Sequence, residues 1–102
     1  MENYREALTV LRKADRLDSE RTDTLNLMGV CHYKLSEHEA AIACFKRIIA
    51  LDPSSAIDYA NIAVNYRAVD DRAKAIEYFR LALALDPNID FAKSHLAEMG
   101  EI

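Results

Sequence analysis

The 102-residue sequence predicts an all-α fold, an α-α superhelix of antiparallel helix pairs with about six helices. Three observations carry that expectation. First, the chain repeats itself at an offset of 34 residues: Leu51-Asp52-Pro53 recurs as Leu85-Asp86-Pro87, Ala41-Ile42 as Ala75-Ile76, Phe45 as Phe79, Ala50 as Ala84 and Gly29-Val30 as Ala63-Val64. One period earlier stand Ala7-Leu8, Leu11 and Leu17-Asp18-Ser19, so the period covers the whole chain. Second, apolar residues within each period follow helical steps of three and four. Third, two Gly and two Pro are too few for the many turns of a sandwich or barrel of short strands.

Helices are expected over about 3–17, 22–35, 38–51, 56–69, 72–85 and 89–100. The first carries Ala7, Leu8 and Leu11, and the second Met28, Gly29 and Val30. Ser36-Glu37-His38-Glu39 reads as a capping box opening the third, whose apolar face is Ala41, Phe45, Ile48 and Ile49. Ser55-Ala56-Ile57-Asp58 is a second such start, followed by Ile62 and Tyr66. Asp70-Asp71 opens the fifth, where the helix dipole favours acidic residues, and Ala75, Phe79, Ala82 and Leu83 form its face. Pro53 and Pro87 end helices because they lack an N–H and disfavour the α conformation in Asp52 and Asp86. The last helix follows Pro87. Each pair of helices buries its apolar face only against its neighbours, and Gly29, Ala63, Ala7, Ala41 and Ala75 stand where backbones approach closely.

This pattern resembles the tetratricopeptide repeat. The matching residues are Met28-Gly29, Ala41, Phe45 and Pro53 in one unit. In the next they are Tyr59, Ile62-Ala63, Tyr66, Ala75, Phe79, Ala82 and Pro87. The resemblance implies a right-handed solenoid. It divides the single domain into a back-helix half repeat at 1–21, full repeats at 22–55 and 56–89, and a front-helix half repeat at 90–102. Two departures predict adjusted packing in the first full unit: His32 replaces the family's Tyr, Leu or Phe, and Ile48 stands where a small residue is preferred. Because 102 is three periods, joining Met1 after Ile102 would continue the repeat in phase.

The composition excludes several functions. Thirteen Lys+Arg against 17 Asp+Glu give a net charge of −4, so nothing electrostatic favours nucleic acid or an anionic membrane. A 51% hydrophobic share excludes a disordered tail. The longest apolar run, Ala40–Phe45, is far short of the roughly 20 residues of a membrane span. No targeting signal opens the chain, so a cytoplasmic location is expected.

Catalysis is not expected either. Cys31 and His32 are sequence neighbours and point about 100° apart on a helix. Cys31 and Cys44 read as buried thiols. They stand on paired helices, which leaves a bridge open, although a cytoplasmic compartment argues against it. No two of His32, His38 and His95 are three or four apart, no glycine-rich phosphate loop exists, and no cofactor or metal is called for.

Binding is the function that remains. In the family, stacked front helices line a concave groove that commonly holds a peptide. The resemblance places Asp23, Asn26, Val30 and Tyr33 there from the first front helix. Ile57, Ala60, Asn61, Val64 and Arg67 come from the second, and Phe91, Ser94 and His95 from the third. Val30, Ile57, Val64 and Phe91 form either an apolar stripe for an amphipathic helix or extended apolar peptide, or part of the core. Some family members clamp the acidic C-termini of chaperones. The corresponding positions here are Asn26, Val30, Asn61, Phe91 and His95, of which only Asn61 matches, so no chaperone-tail carboxylate clamp is expected. The ends are a second surface. Tyr4, Leu8, Leu11, Phe91, Leu96 and Met99 are expected to leave apolar faces partly open for head-to-tail self-association, although Lys93, Ser94, Glu98 and Glu101 give the last helix some polar capping. A third reading is the targeting arm of a larger enzyme.

Overall fold

The computed structural model describes residues 3–102, so positions 1–2 of the expected first half repeat lie outside the described residues. Six helices follow one another: α1 (Tyr4–Leu17), α2 (Thr22–Lys34), α3 (His38–Leu51), α4 (Ala56–Ala68), α5 (Arg72–Leu85) and α6 (Asp90–Glu98). There is no strand among the described residues. Each helix packs on the next, and the front helices α2, α4 and α6 alternate with the back helices α1, α3 and α5. The all-α superhelix expected from the period is what the chain forms. None of its helices is long and apolar enough to cross a membrane.

Two kinds of turn alternate. After each back helix an Asp side chain caps the following loop. Asp18, Asp52 and Asp86 each accept a hydrogen bond from the backbone N–H two residues on, at Glu20, Ser54 and Asn88. That is the physical content of the recurring Leu-Asp pair, and it holds even where Ser19 replaces proline.

After each front helix the chain makes a left-handed step. Ser36 (φ 60°) and Asp70 (φ 63°) take it, and the Glu37 and Asp71 N–H groups donate back to His32 and Tyr66 carbonyls at 2.8 and 2.9 Å. Ser36 therefore closes α2 and does not cap α3, whose N-cap Glu37 makes no side-chain capping bond. Ser55 likewise makes no bond to the backbone of α4. Its hydroxyl donates to the Asp58 carboxylate instead. The expected cap at Asp71 is present, accepting from the Lys74 N–H at 3.2 Å.

The third left-handed step comes early. Gly100 (φ 79°) repeats the motif, with the Glu101 N–H on the Leu96 carbonyl at 2.9 Å. The interval from Ser36 to Asp70 is 34 residues, but from Asp70 to Gly100 it is 30. So α6 spans nine residues where α2 and α4 span 13. The expectation of unbroken phase beyond Ile102 is thus corrected: the closing glycine cuts α6 by one turn.

The core runs through three adjoining clusters, around Leu8, Met28 and Cys44, around Leu25, Phe45 and Ile62, and around Ala63, Phe79 and Leu96. Gly29 shows how close the helices come. A Cβ there would lie 2.6 Å from the Phe45 ring, so only glycine lets α2 settle on α3 at this distance. Ile48 is enclosed beside Ala41 and Phe45. His32 is buried with its Nδ1 2.9 Å from Glu37 Oε1, and Glu37 is also held by Arg5.

Candidate functional site

The front helices α2 and α4 lie side by side and leave a narrow crease between them. It encloses about 70 Å³ and is lined by Val30, Tyr33, Asn61, Val64 and Asn65, with Phe45 at its base. Tyr33 and Val64 also wall a wider hollow of about 560 Å³, shared with Lys34, Ser36, His38, Arg67, Ala68, His95 and Glu98. Five of the expected groove residues, Val30, Tyr33, Asn61, Val64 and Arg67, are therefore brought together on one face with His95. Asp23, Asn26, Ile57, Phe91 and Ser94 line neither cavity.

Ala60 is a correction. It was expected in the groove but is fully buried, packed with Ala63 and Ala75 in the core. Its place on α4 faces inward, so it offers nothing to a ligand. Phe91 packs partly against the same cluster.

Sequence reasoning missed Asn65. Its amide is buried at the bottom of the crease, donating from Nδ2 to the Asn61 carbonyl at 2.8 Å. That orientation turns Oδ1 toward His38 Nδ1, 2.8 Å away, and so places the imidazole proton on Nδ1. Tyr33 meets the His38 ring edge-on at 5.9 Å. The crease wall is thus a fixed polar network under an apolar rim. No periodic signal marks it, because Asn65 stands one period after Cys31 and before Met99.

The lower hollow is charged. Arg67 donates from Nη1 to His95 Nδ1 and to Glu98 Oε1, both at 2.7 Å. His95 therefore accepts as a neutral ring. Burial, and then the adjacent Arg67 charge, hold its pKa below the ordinary value. The Arg67 hydrogen bond holds the Glu98 carboxyl low. His95 is further fixed by stacking on Phe79 at 4.9 Å. The arrangement supplies an apolar slot, an amide-lined floor and, beside it, the cations Lys34 and Arg67. No group of three or more His, Cys, Asp or Glu that could hold a metal occurs among the described residues. Burial pushes the Cys44 thiol up, away from the reactive thiolate.

The end residues fall into two sets. Leu8 and Leu96 are corrections, because both are buried in the core and leave no open face. Tyr4, Leu11, Phe91 and Met99 are half-buried. Tyr4 and Leu11 wall a separate groove between α1 and α2.

Comparison with known proteins agrees with this architecture. The tetratricopeptide repeat family matches residues 22–55 and again residues 56–89. A protein O-mannosyl-transferase of Caenorhabditis elegans is 34% identical over 74 residues, which are 72% of this chain and 11% of that protein. A probable UDP-N-acetylglucosamine–peptide N-acetylglucosaminyltransferase of Arabidopsis thaliana is 32% identical over 81 residues, 79% of this chain and 8% of that protein. The chain thus spans about a tenth of the length of these relatives. Among solved structures, the first TPR of Spaghetti (RPAP3), bound to the HSP90 peptide SRMEEVD, superposes with a TM-score of 0.88 at 19% identity, covering 96% of this chain and 78% of that one. YrrB, a TPR protein with an unusual peptide-binding site, superposes with a TM-score of 0.85 at 25% identity, covering 90% of this chain and 47% of that one. From the repeat, the six-helix stacking and these matches together, the chain belongs to the tetratricopeptide repeat family.

Proposed function

We propose that this chain is a non-catalytic protein-interaction scaffold that takes a peptide or helix of a partner protein on the concave face of α2, α4 and α6. The crease between Val30, Tyr33, Asn61 and Val64 is the observation that carries this reading. Apolar walls with a few fixed polar groups are what peptide sites are made of. An apolar side chain of the ligand fits the crease, and an acidic neighbour is favoured beside Lys34 and Arg67. Selection from a displayed peptide library tests this. The chain should enrich a sequence class that its Val64→Asp variant, checked for unchanged helicity, fails to hold. Enrichment that survives Val64→Asp sinks the groove.

The family's chaperone-tail clamp is not part of this proposal. Solved neighbours hold HSP90 and HSP70 peptides. In this chain Val30 and Phe91 occupy positions where a clamp needs fixed cations, and Lys34 and Arg67 lie elsewhere. Titration with SRMEEVD should give no binding at micromolar concentration. Micromolar affinity lost on Asn61→Ala would reverse this.

A second reading, the targeting arm of a larger enzyme, is favoured by the two transferases of which matching segments form about a tenth. It keeps the same groove and changes only what the groove delivers.

A further inference from the structure

We propose that the groove between α1 and α2 is a second docking surface, which takes one amphipathic helix of a partner protein whose apolar face presents a bulky residue followed by Gly or Ala. The groove encloses about 510 Å³ and is walled by Tyr4, Ala7, Val10 and Leu11 of α1 with Leu27 and Val30 of α2.

The molecule itself shows what covers such a groove. One period on, Ala7 and Leu11 become Ala41 and Phe45, and there α2 lies on α3 with Met28-Gly29 facing inward and Gly29 against the Phe45 ring. Another period on they become Ala75 and Phe79, and α4 covers them with Ile62-Ala63. At both places a front helix brings a bulky residue and then a small one, because only a small residue lets the helix settle over the large side chain below. Leu11 and Ala7 present the same surface with nothing of this kind above them. The contrast is plain in one register: Cys44 is buried, whereas Val10 is 67% exposed.

The helix that fits is not α6 of a second copy. In that register α6 has Leu96-Ala97, but Leu96 is already spent in its own core. Lys93 stands where Leu25 and Tyr59 pack, and Gly100 ends the helix where His32 and Tyr66 continue it. Charge narrows the partner further. Within a chain of net charge −4, α1 carries Arg5, Arg12, Lys13 and Arg16 against Glu6 and Asp15, so an acidic polar flank is favoured.

A helix-stapled peptide with the sequence of α4, residues 56–68, is a suitable probe, since it covers the equivalent register two repeats on and contains no cysteine. Fluorescence anisotropy should show it binding the full chain. Val10→Asp should weaken it at least about tenfold, or about 1.4 kcal/mol. Leu27→Asp, also at an exposed site, should do the same, so the test does not depend on one variant folding. Val64→Asp on the concave face should leave this affinity unchanged, which separates the outcome from that of the proposed function. A peptide with Ala63→Phe should not bind. No binding at millimolar concentration, or equal affinity for Val10→Asp and Leu27→Asp, overturns the proposal. So does a concentration-dependent dimer dissolved by Val10→Asp, which would assign the groove to a second copy.

Discussion

The two ends of the solenoid are each half a repeat, yet they meet solvent in opposite ways. At one end α1 exposes Val10 and Leu17, and its groove with α2 is apolar. At the other, α6 turns Lys93, Ser94, Ala97 and Glu98 outward. Glu101 folds back there to reach Arg72 and Arg80, both at 2.9 Å. Both terminal helices bury one leucine completely or nearly so, Leu8 and Leu96, and both are tied by ion pairs, as Asp15 is to Arg47 at 2.8 Å. Anchoring is therefore shared by the ends, and only the outward face differs. A repeat array sets its ends by what a helix shows to water, independently of how firmly the helix is held.

Mutations can break that comparison or refine it. The largest effect is expected at the anchors. Leu8→Ala should cost about 2–5 kcal/mol in urea unfolding. Leu17→Ala, at a site 89% exposed on the same helix, should stay within about 0.5 kcal/mol. Equal small losses would mean that α1 is not anchored through Leu8. Next comes the close approach in the first full repeat. Gly29→Val must displace the Phe45 ring and should cost about 1–3 kcal/mol. Its counterpart Ala63→Gly should cost about 1 kcal/mol, chiefly through helix propensity. If both cost the same, the tighter fit at Gly29 is illusory.

The register Thr24, Asp58, Ala92 passes from hydroxyl to carboxylate to methyl along the front helices, and only the middle one carries charge. Asp58 is buried, its Oδ1 meets no donor among the described residues, and burial pushes its pKa above the ordinary 3.8. Raising the folded-state pKa means that ionisation works against folding. The penalty is absent below about pH 3.8, where both states are protonated, and is complete once pH passes the folded value. Asp58→Asn should therefore stabilise the protein at pH 7 by about 1 kcal/mol, a gain that vanishes in acid. Thermal melts across pH would show it, and a gain independent of pH would rule out ionisation as the cause. The smallest effect is expected from Glu101→Gln, about 0.5 kcal/mol at low salt and less at high salt, since Arg72 and Arg80 are both largely exposed.

Much of this was legible in the sequence, because a solenoid is specified by spacing. The offset of 34 residues located all six helices, and the apolar steps identified Ala41, Phe45, Ala75 and Phe79 as core. Spacing is also where legibility stopped. Ala60 was assigned to the groove from the repeat's phase, but on a helix one position is about 100°, and this one faces inward. Ser36 looked like a cap because its side chain suits one, whereas the backbone uses it for a left-handed step. The Asn65–His38 bond joins residues 27 apart on two different helices, and no local pattern encodes such a pair. The shortening of α6 was within reach, since a glycine shortly after a helical run is a stop signal, but the arithmetic of three equal periods obscured it.

That early glycine has a practical meaning for anyone building with this module. A gene encoding two copies in tandem would bring the second α1 to its place too soon. The left-handed step at Gly100 falls four residues ahead of where the interval from Ser36 to Asp70 would put it. Four residues are about 6 Å of helix and about 40° of rotation beyond a full turn. A continuous rod therefore calls for restoring that turn, by replacing Gly100 and extending α6, and not for simple concatenation. The spacer length of a designed array is set here by one backbone dihedral, and the chain length, although an exact multiple of the repeat, is the wrong ruler.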